Sequence, residues 1–359
     1  MFSYQMTRIE MGSDLARQES MMPWIKHPLC LAISVLAVCL GSLLLTACGS
    51  GESDSDKTTL AFVPKSREHS FWLAVIRGAE RAAKENDVEL LIQSATRESD
   101  IAMQIDVVNT LRTEGVDGLI LAPLNDESLL RPVREFGTPV VIMDSPLSGE
   151  VGKDFASFVG TENSVAGRMA GETMAGILGD NKKIVLLRYI EGSASTTQRE
   201  EGFLQAVSDA PDLEVISSNQ YAGAGESETI NRAGAMIDTI RQAGGIFTPN
   251  QPASNGMLRF LQDNDLAGKI RFIAFDASIP LIQGLVAGHV DAIIVQDPEV
   301  MGYNAVTTML AVLNGESVEP HVDTGAVIVT RDNLTDPKVR AILLAYDTLI
   351  EPLLPPVSE

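Results

Sequence analysis

The segment TTLAFVPKSREHSFWLAVIRGAERAAKEN, residues 58–86, decides the fold, because it contains one complete β-α unit. Its first seven residues form a short apolar run, which is typical of a strand that is buried on both faces. From residue 70 onward, small and apolar side chains recur at helical spacing: Phe71, Ala74, Val75, Gly78, Ala79, Ala82 and Ala83. Strands of this kind that alternate with helices predict a parallel sheet covered by helices on each side.

The same alternation continues along the chain. Up to residue 160, we predict strands over 58–64, 88–93, 118–122 and 139–143, and helices over 70–86, 100–114 (with Asp100 as N-cap) and 127–136. After Val165 the pattern restarts, with helices over 165–178, 198–209, 228–243, 253–264, 278–287, 298–314 and 331–346 and strands over 183–188, 213–220, 246–248, 271–275, 291–295 and 326–329. The prolines at 352, 355 and 356 are expected to end the ordered chain. Because no Gly/Pro-rich linker separates the two sets, the sequence predicts an α/β protein of two lobes joined by short crossings.

The N-terminal region has the features of an export signal. A charge-free apolar run extends from Leu29 to Leu45, and the small residues before Cys48 suit a cleavage site. The ending LTAC (45–48) resembles the bacterial lipobox, which implies lipidation of Cys48. We therefore expect a signal peptide over 1–47, whose true start is Met21 or Met22, and a flexible acidic tether over 48–57. An uncleaved membrane anchor is the alternative interpretation.

Composition limits the possible functions. The net charge of −21 repels nucleic acid and anionic lipid head groups, so we expect no nucleic-acid partner. The cysteines are at 30, 39 and 48, so a chain cleaved before Cys48 carries neither a disulfide nor a free thiol. After Cys48 the sequence contains no Gly-x-Ser-x-Gly motif, no phosphate-binding loop and no Cys, and its three His are dispersed at 69, 289 and 321. We therefore expect no enzyme activity, no metal and no cofactor, although Asp144 and Asp276 could in principle serve as the acid-base pair of a glycosidase.

Candidate binding residues come from the strand ends, because ligands of parallel α/β sheets bind beyond the carboxyl ends of the strands. Carboxylates, amides and an arginine can form paired hydrogen bonds with vicinal hydroxyls, and aromatic faces cover the C–H side of a sugar ring. This chemistry predicts a small polyol as the ligand. The candidate residues are His69, Phe71, Trp72, Asp144, Ser145, Arg199, Asn250, Asp276 and Gln296.

Most of these candidates also have a purely structural interpretation. An Asp that follows a strand, as Asp144 and Asp276 do, is often the N-cap of the next helix. Phe71 and Trp72 are adjacent and cannot both face the helix interior, so we expect Phe71 to be the core residue of the two. Arg199 could form a surface ion pair with Glu200 or Glu201, and Asn250 and Gln296 could be ordinary loop amides.

Six motifs spread over residues 58–330 together resemble the ribose-binding type of periplasmic binding protein, which is related to the ligand-binding half of LacI-like repressors. The motifs are HSFW (69–72), GVDGLILAP (115–123), PVVIMD (139–144), TQREEGF (197–203), FIAFD (272–276) and QDPEVMG (296–302). The resemblance implies a periplasmic binding protein-like I fold, in which two doubly wound parallel-sheet lobes are joined by three crossings. We place the crossings near 160–162, 296–297 and 323–325. The implied first lobe is 58–160 plus 297–323, and the second is 161–296 plus 324–350.

The resemblance also implies a function. The chain would be a monomeric lipoprotein in the periplasm or on the outer face of the cell membrane, where it would bind a sugar or polyol and deliver it to the permease of an ABC importer. The aromatic candidates would stack on the sugar ring and the polar candidates would bind its hydroxyls. A sensory protein that presents a sugar or an autoinducer-like ligand to a membrane receptor or kinase is the alternative.

Three features depart from the ribose-binding pattern. Ser145 stands where those proteins have Arg, and Ala122 stands where they have a polar Asn. A later aromatic of those proteins is absent from the segment AGAG (222–225). The first lobe therefore offers fewer polar anchors and more room, and we expect a ligand other than ribose.

Overall fold

The computed structural model describes residues 57–356, so the expected signal peptide and most of the expected tether lie outside the described residues. This part of the chain belongs to one compact unit. Its strands are β1 Thr59–Val63, β2 Glu89–Ile92, β3 Gly118–Leu121, β4 Val140–Met143, β5 Ser157–Gly160, β6 Lys183–Arg188, β7 Glu214–Tyr221, β8 Gly245–Phe247, β9 Arg271–Phe275, β10 Ala292–Gln296, β11 His321–Asp323 and β12 Ala326–Val329. Its helices are α1 Ser70–Glu85, α2 Ile101–Glu114, α3 Leu130–Arg134, α4 Asn163–Ile177, α5 Ala194–Ser208, α6 Glu226–Ala235, α7 Ile237–Ile240, α8 Gln251–Asp263, α9 Ile279–Ala287, α10 Pro298–Leu313 and α11 Pro337–Tyr346.

The strands form two six-stranded sheets, one in each lobe. The first-lobe sheet has the order β11-β5-β4-β3-β1-β2, and all of its strand pairs are parallel. The second-lobe sheet has the order β12-β10-β9-β8-β6-β7, and only β12 runs antiparallel to its neighbour. The predicted two-lobed α/β fold is confirmed.

Strand β1 shows why both faces of each sheet are covered. Successive side chains of a strand point to opposite faces. Leu60 and Phe62 lie in the core on the side of helices α1 and α10, whereas Ala61 and Val63 lie in the core on the side of α2 and α3. Strand β6 repeats this arrangement in the second lobe, and one apolar cluster continues through both lobes. No helix in the described part of the chain is both long enough and apolar enough to span a membrane.

The chain changes sheet at three places. It leaves the first sheet after β5 and enters helix α4 of the second lobe, and it returns after β10 through helix α10, which packs on α1. It crosses again between β11 and β12. Up to residue 329, the chain therefore passes from one lobe to the other only through short segments.

Each lobe also contains a pair of helices whose backbones touch. A Cβ atom at Gly302 of α10 would overlap the carbonyl oxygen of Val75 in α1, and one at Gly167 of α4 would overlap the carbonyl oxygen of Arg199 in α5. Only glycine allows this approach, so these two pairs are fixed in register and distance.

Two strands were missed by sequence reasoning. Both β5 and β11 are short, and β5 begins with Ser157 and ends with Gly160, residues that are depleted in strands or break them. The two strands pair with each other at the edge of the first sheet, directly before two of the crossings.

Three further predictions are wrong in detail. The helix predicted over 228–243 is broken at Met236 into α6 and α7. The helix predicted over 331–346 begins only at Pro337, because Asp336 caps it by accepting from the amides of Lys338 and Val339. Order does not end at Pro352, which lies inside a 3₁₀ helix over Thr348–Leu353. The predicted N-cap Asp100 is confirmed, since its side chain accepts from Met103 N at 3.0 Å.

A pair of glycine substitutions tests the helix contacts. Gly302→Ala is expected to lower the free energy of unfolding by about 2–3 kcal/mol, because the new methyl group forces α1 and α10 apart. Gly176→Ala is the matched control: it lies in α4, and apart from its chain neighbours and the helix's own backbone no atom is within 4 Å of the new Cβ. There the change is expected to raise stability by about 0.5–1 kcal/mol. Urea unfolding measures both values, and equal effects of the two substitutions would contradict the close contact.

A candidate small-molecule site between the two lobes

A cavity lies where the carboxyl-terminal edges of the two sheets face each other. The first lobe lines it with residues that follow β1, β2 and β4 and with the start of α1: Lys65, His69, Phe71, Trp72, Glu98 and Asp144. The second lobe contributes residues that follow β6, β8 and β9 and the end of β10: Tyr189, Ser193, Ser195, Thr196, Arg199, Asn250, Gln251, Pro252, Asp276 and Gln296. The cavity therefore takes its wall from both lobes.

The lining includes every predicted site residue except Ser145. The Ser145 hydroxyl instead accepts from the Ser195 amide at 3.2 Å, across the cleft, so it joins the lobes behind the cavity wall. That any of these residues binds a ligand stays a prediction.

A chain of buried polar groups forms the second-lobe wall. Arg199 donates from Nε to Asn163 Oδ1 at 2.7 Å and from Nη2 to Gln296 Oε1 at 2.9 Å. Gln296 in turn donates to Asp276 Oδ1 at 2.8 Å. The guanidinium carbon of Arg199 lies 4.0 Å from the centroid of the Phe275 ring, which fixes the plane of the guanidinium.

These contacts exclude the surface interpretation of Arg199. Its side chain is buried, and its partners are neither Glu200 nor Glu201. Glu200 instead pairs with Arg188 at 2.8 Å, and burial raises the pKa of the Glu200 carboxyl to about 7.

The two strand-end aspartates adopt an unusual backbone conformation. Asp144 has φ 61° and Asp276 has φ 64°, in the left-handed region that most residues avoid. Neither caps a helix: the cap of α9 is Ser278, and a loop over residues 145–156 connects Asp144 to β5. Burial raises the pKa of Asp276, and the nearby charge of Arg199 opposes this shift. Asn250, in contrast, is both a cap and a lining residue, since it accepts from Ala253 N at 3.3 Å.

The first-lobe wall contains a buried ion pair and two aromatic rings. Lys65 Nζ lies 2.9 Å from Asp144 Oδ2 and also donates to Ser195 Oγ of the second lobe at 3.1 Å. Phe71 and Trp72 pack edge to face, with centroids 5.0 Å apart. Both rings are buried and both line the cavity, so the expectation of a single core residue, Phe71, is wrong.

Glu98 joins the two lobes inside the cleft. Its Oε1 accepts from Trp72 Nε1 at 2.8 Å, and its Oε2 accepts from Tyr189 Oη of the second lobe at 3.0 Å. Burial and the negative charge of Glu98 raise the pKa of Tyr189 well above its ordinary value, so the phenol stays a donor. Glu98 thereby sets the orientation of the Trp72 ring and holds it to a residue of the opposite lobe.

Sequence reasoning missed Lys65, Glu98 and Tyr189 as site residues. Their positions after β1, β2 and β6 could have identified them, because ligands of parallel α/β sheets bind beyond the carboxyl ends of the strands. Lys65 is the second residue after its strand, and Glu98 is reached only after a loop.

One buried hydroxyl of the cavity has no protein partner. Ser193 Oγ lines the cavity and has no hydrogen bond to any residue of the described range. A buried polar group without a partner is unfavourable, so this hydroxyl is available to a bound molecule. Among residues 57–356, no group of His, Cys, Asp and Glu side chains is arranged to hold a metal ion.

Comparison with known proteins gives consistent results. The family model described as "periplasmic binding protein domain" matches residues 60–317. A ribose import binding protein from Haemophilus influenzae is 26% identical over 294 residues, which cover 81% of this chain and 98% of that protein.

Solved structures also resemble this chain. A periplasmic component of an ABC-type sugar transport system from Hahella chejuensis is 32% identical, with a TM-score of 0.72 over 76% of this chain and 99% of that chain. A carbohydrate transporter solute-binding protein from Agrobacterium radiobacter, in complex with D-arabinose, is 29% identical, with a TM-score of 0.76 over 80% of this chain and 99% of that chain.

Removal of the Glu98 carboxylate tests its place in the site. Glu98→Ala leaves Trp72 Nε1 buried without its acceptor and removes one of the two acceptors of Tyr189 Oη, which keeps the Ala224 carbonyl oxygen, so we expect a loss of about 1–3 kcal/mol in unfolding free energy. Glu201→Ala, on the exposed side of α5, is the matched control and is expected to change stability by less than about 0.5 kcal/mol. Urea unfolding measures both. A loss below about 1 kcal/mol for Glu98→Ala would show that Glu98 does not hold these two side chains.

Proposed function

Because the chain belongs to the periplasmic binding protein domain family, we propose that it captures a small sugar or polyol in this cavity and delivers it to an ABC importer. The observation that carries the proposal is the convergence of polar and aromatic residues from both lobes on one cavity. Relatives that bind ribose or D-arabinose in transport systems support it. The same relatives favour transport over a sensory role, and we propose that the chain has no catalytic activity.

The chemistry of the wall suits a neutral polyhydroxylated molecule. Buried charges need partners, and Lys65 already has one in Asp144. The carboxylates of Asp276 and Glu98 disfavour an anionic ligand, although the guanidinium of Arg199 belongs to the same lining. Hydroxyl groups can both donate to Asp276 and accept from Arg199, and they can pair with Ser193.

Two aromatic rings of the cavity wall also favour this class of ligand. The Trp72 and Phe71 rings in the wall supply apolar faces for the C–H groups of such a molecule.

We further propose that the lobes close around the ligand by rotation at the three crossings, with lobe boundaries at 58–160 plus 297–323 and 161–296 plus 324–350. The cross-cleft contacts support this idea, because the Glu98–Tyr189 and Lys65–Ser195 hydrogen bonds require the lobes to be together. An Arg97–Glu228 ion pair and an Asn125–Gly192 hydrogen bond lie further out between the lobes. Ligand contacts from both walls would stabilise the closed state.

Ligand binding can be tested on the full-length chain, extracted in mild detergent. A thermal-shift screen with D-ribose, D-arabinose, D-fucose, D-allose and xylitol, followed by calorimetric titration, should find at least one that binds. Asp276→Asn should then weaken binding about tenfold or more, because a charged hydrogen-bond partner contributes about 1.5–3 kcal/mol.

The matched control is Asp265→Asn, which also lies at a positive φ (56°) but is exposed and lies outside the strand ends that line the cavity. Its sugar affinity should equal that of the unmodified chain. If amino acids stabilise the protein while no sugar or polyol does, the assignment of the ligand class is wrong. Small-angle scattering of the same samples should show compaction at saturating sugar, and unchanged dimensions would contradict lobe closure.

We also propose that the chain acts as a monomer outside the cytoplasm, held to the membrane by a lipid on Cys48. The LTAC motif and the acidic tether after it support this, and a similar chain from Hahella chejuensis is a periplasmic component.

Lipid attachment can be tested by metabolic labelling. Cys48→Ser should abolish incorporation of labelled palmitate and release the chain from the membrane fraction of a bacterial host. Cys39→Ser, within the apolar run, is the matched control and should remain labelled. Membrane retention of the Cys48→Ser chain would instead support an uncleaved anchor.

A further inference from the structure

The C-terminal segment bridges the two lobes. Helix α11 and the 3₁₀ helix Thr348–Leu353 lie beyond residues 60–317, which the family model matches. Helix α11 packs against α1 and α10 of the first lobe and against β10 of the second. The 3₁₀ helix packs against α9 of the second lobe. The segment therefore contacts both lobes beside the crossing that follows β10.

The segment is firmly held at this place. Leu343 and Ile350 are fully buried in the apolar cluster that runs through both lobes. From the first lobe, the guanidinium of Arg77 donates to the carbonyl oxygens of Ala345 and Tyr346. Arg77 thereby fixes the last turn of α11.

Tyr346, the last residue of α11, contacts two residues that line the ligand cavity, Asp276 and Gln296. Its side chain is buried, and its Oη donates to Asp276 Oδ1 at 3.0 Å and lies 3.4 Å from the carbonyl oxygen of Gln296. Its ring lies against Phe71, with centroids 6.2 Å apart. Tyr346 does not itself line the cavity, so it acts on a ligand only through residues that line it.

The groups around Asp276 show what Tyr346 contributes. Gln296 and Tyr346 both donate to Oδ1, and this pair of bonds fixes the carboxylate plane and leaves Oδ2 for other donors. Arg199 and Asp144 act on Asp276 through their charges, Arg199 favouring the ionised form and Asp144 opposing it. The Tyr346 hydrogen bond also favours the ionised form, because it lowers the pKa that burial raises.

We propose that Tyr346 is a positioning residue of the ligand site, whose hydroxyl orients the Asp276 carboxylate and keeps it ready to accept from a ligand hydroxyl. The C-terminal segment, held by Arg77, places that hydroxyl. This inference rests on the proposed sugar-binding function, because it assigns Asp276 to the ligand.

The test is Tyr346→Phe in the full-length chain, read out in two ways. Without ligand, ¹³C NMR titration of the Asp276 carboxyl should show a pKa that is higher than in the unmodified chain, because a donor to the ionised form is lost. With the tightest-binding of the five sugars and polyols, affinity at pH 7 should fall about three- to tenfold. The fall should grow as the pH is lowered, since a larger fraction of Asp276 is then protonated.

Tyr303→Phe is the matched control. Tyr303 Oη also donates to a carboxylate, Glu85 Oε2 at 2.8 Å, but it lies in a pair exposed outside the cleft. Its removal should change neither the Asp276 titration nor the affinity. An Asp276 pKa that is the same in Tyr346→Phe and in the control would overturn the proposal, whatever the affinity does. If none of the sugars binds the unmodified chain, the proposed function fails, and the NMR titration alone still decides whether Tyr346 orients Asp276.

Discussion

The structure depends on one constraint: a parallel sheet has all its carboxyl ends at the same edge. In each lobe, the loops that follow the strands therefore collect at one side. Three short crossings turn those two edges toward each other, so that residues such as Asp144 and Asp276, far apart in sequence, face one cavity. The glycines at 302 and 167 let the helices behind each sheet approach each other closely.

The burial of charge between the lobes imposes a second requirement. Desolvation of an ionised group is unfavourable unless the group is paired or hydrogen-bonded. Asp144 is balanced by Lys65, and Asp276 is balanced through Gln296 and Arg199. Each arrangement reaches beyond a single strand end, and the second draws on a residue near the C-terminus, Tyr346. In the second arrangement, hydrogen bonds connect Arg199, Gln296, Asp276 and Tyr346 in one chain.

Sequence reasoning could predict the strand ends but not the network. The strands before Asp144 and Asp276 could be predicted because each is a continuous apolar run, as expected of a strand that is buried on both faces. Because ligands bind beyond the carboxyl ends of such strands, the two aspartates were then selected as candidates. Glu98 was missed because a loop separates it from its strand, and loop length says nothing about where a side chain points. Tyr346 was missed because its contact with Asp276 joins positions 70 residues apart in the sequence, which local periodicity does not report. Ser145 was selected by its position, yet its hydroxyl faces Ser195 behind the cavity wall.

The left-handed backbone at Asp144 and Asp276 has a consequence for how such a protein diverges. Only Gly, Asn and Asp adopt this conformation readily, so most replacements at these two positions would strain the main chain regardless of the ligand. Natural variation at positions 144 and 276 should therefore be confined to Gly, Asn and Asp. A lineage that acquires a new specificity must then change other residues of the lining, such as Ser193, Ser195 and Thr196. The two aspartates would be retained while other residues of the cavity are substituted.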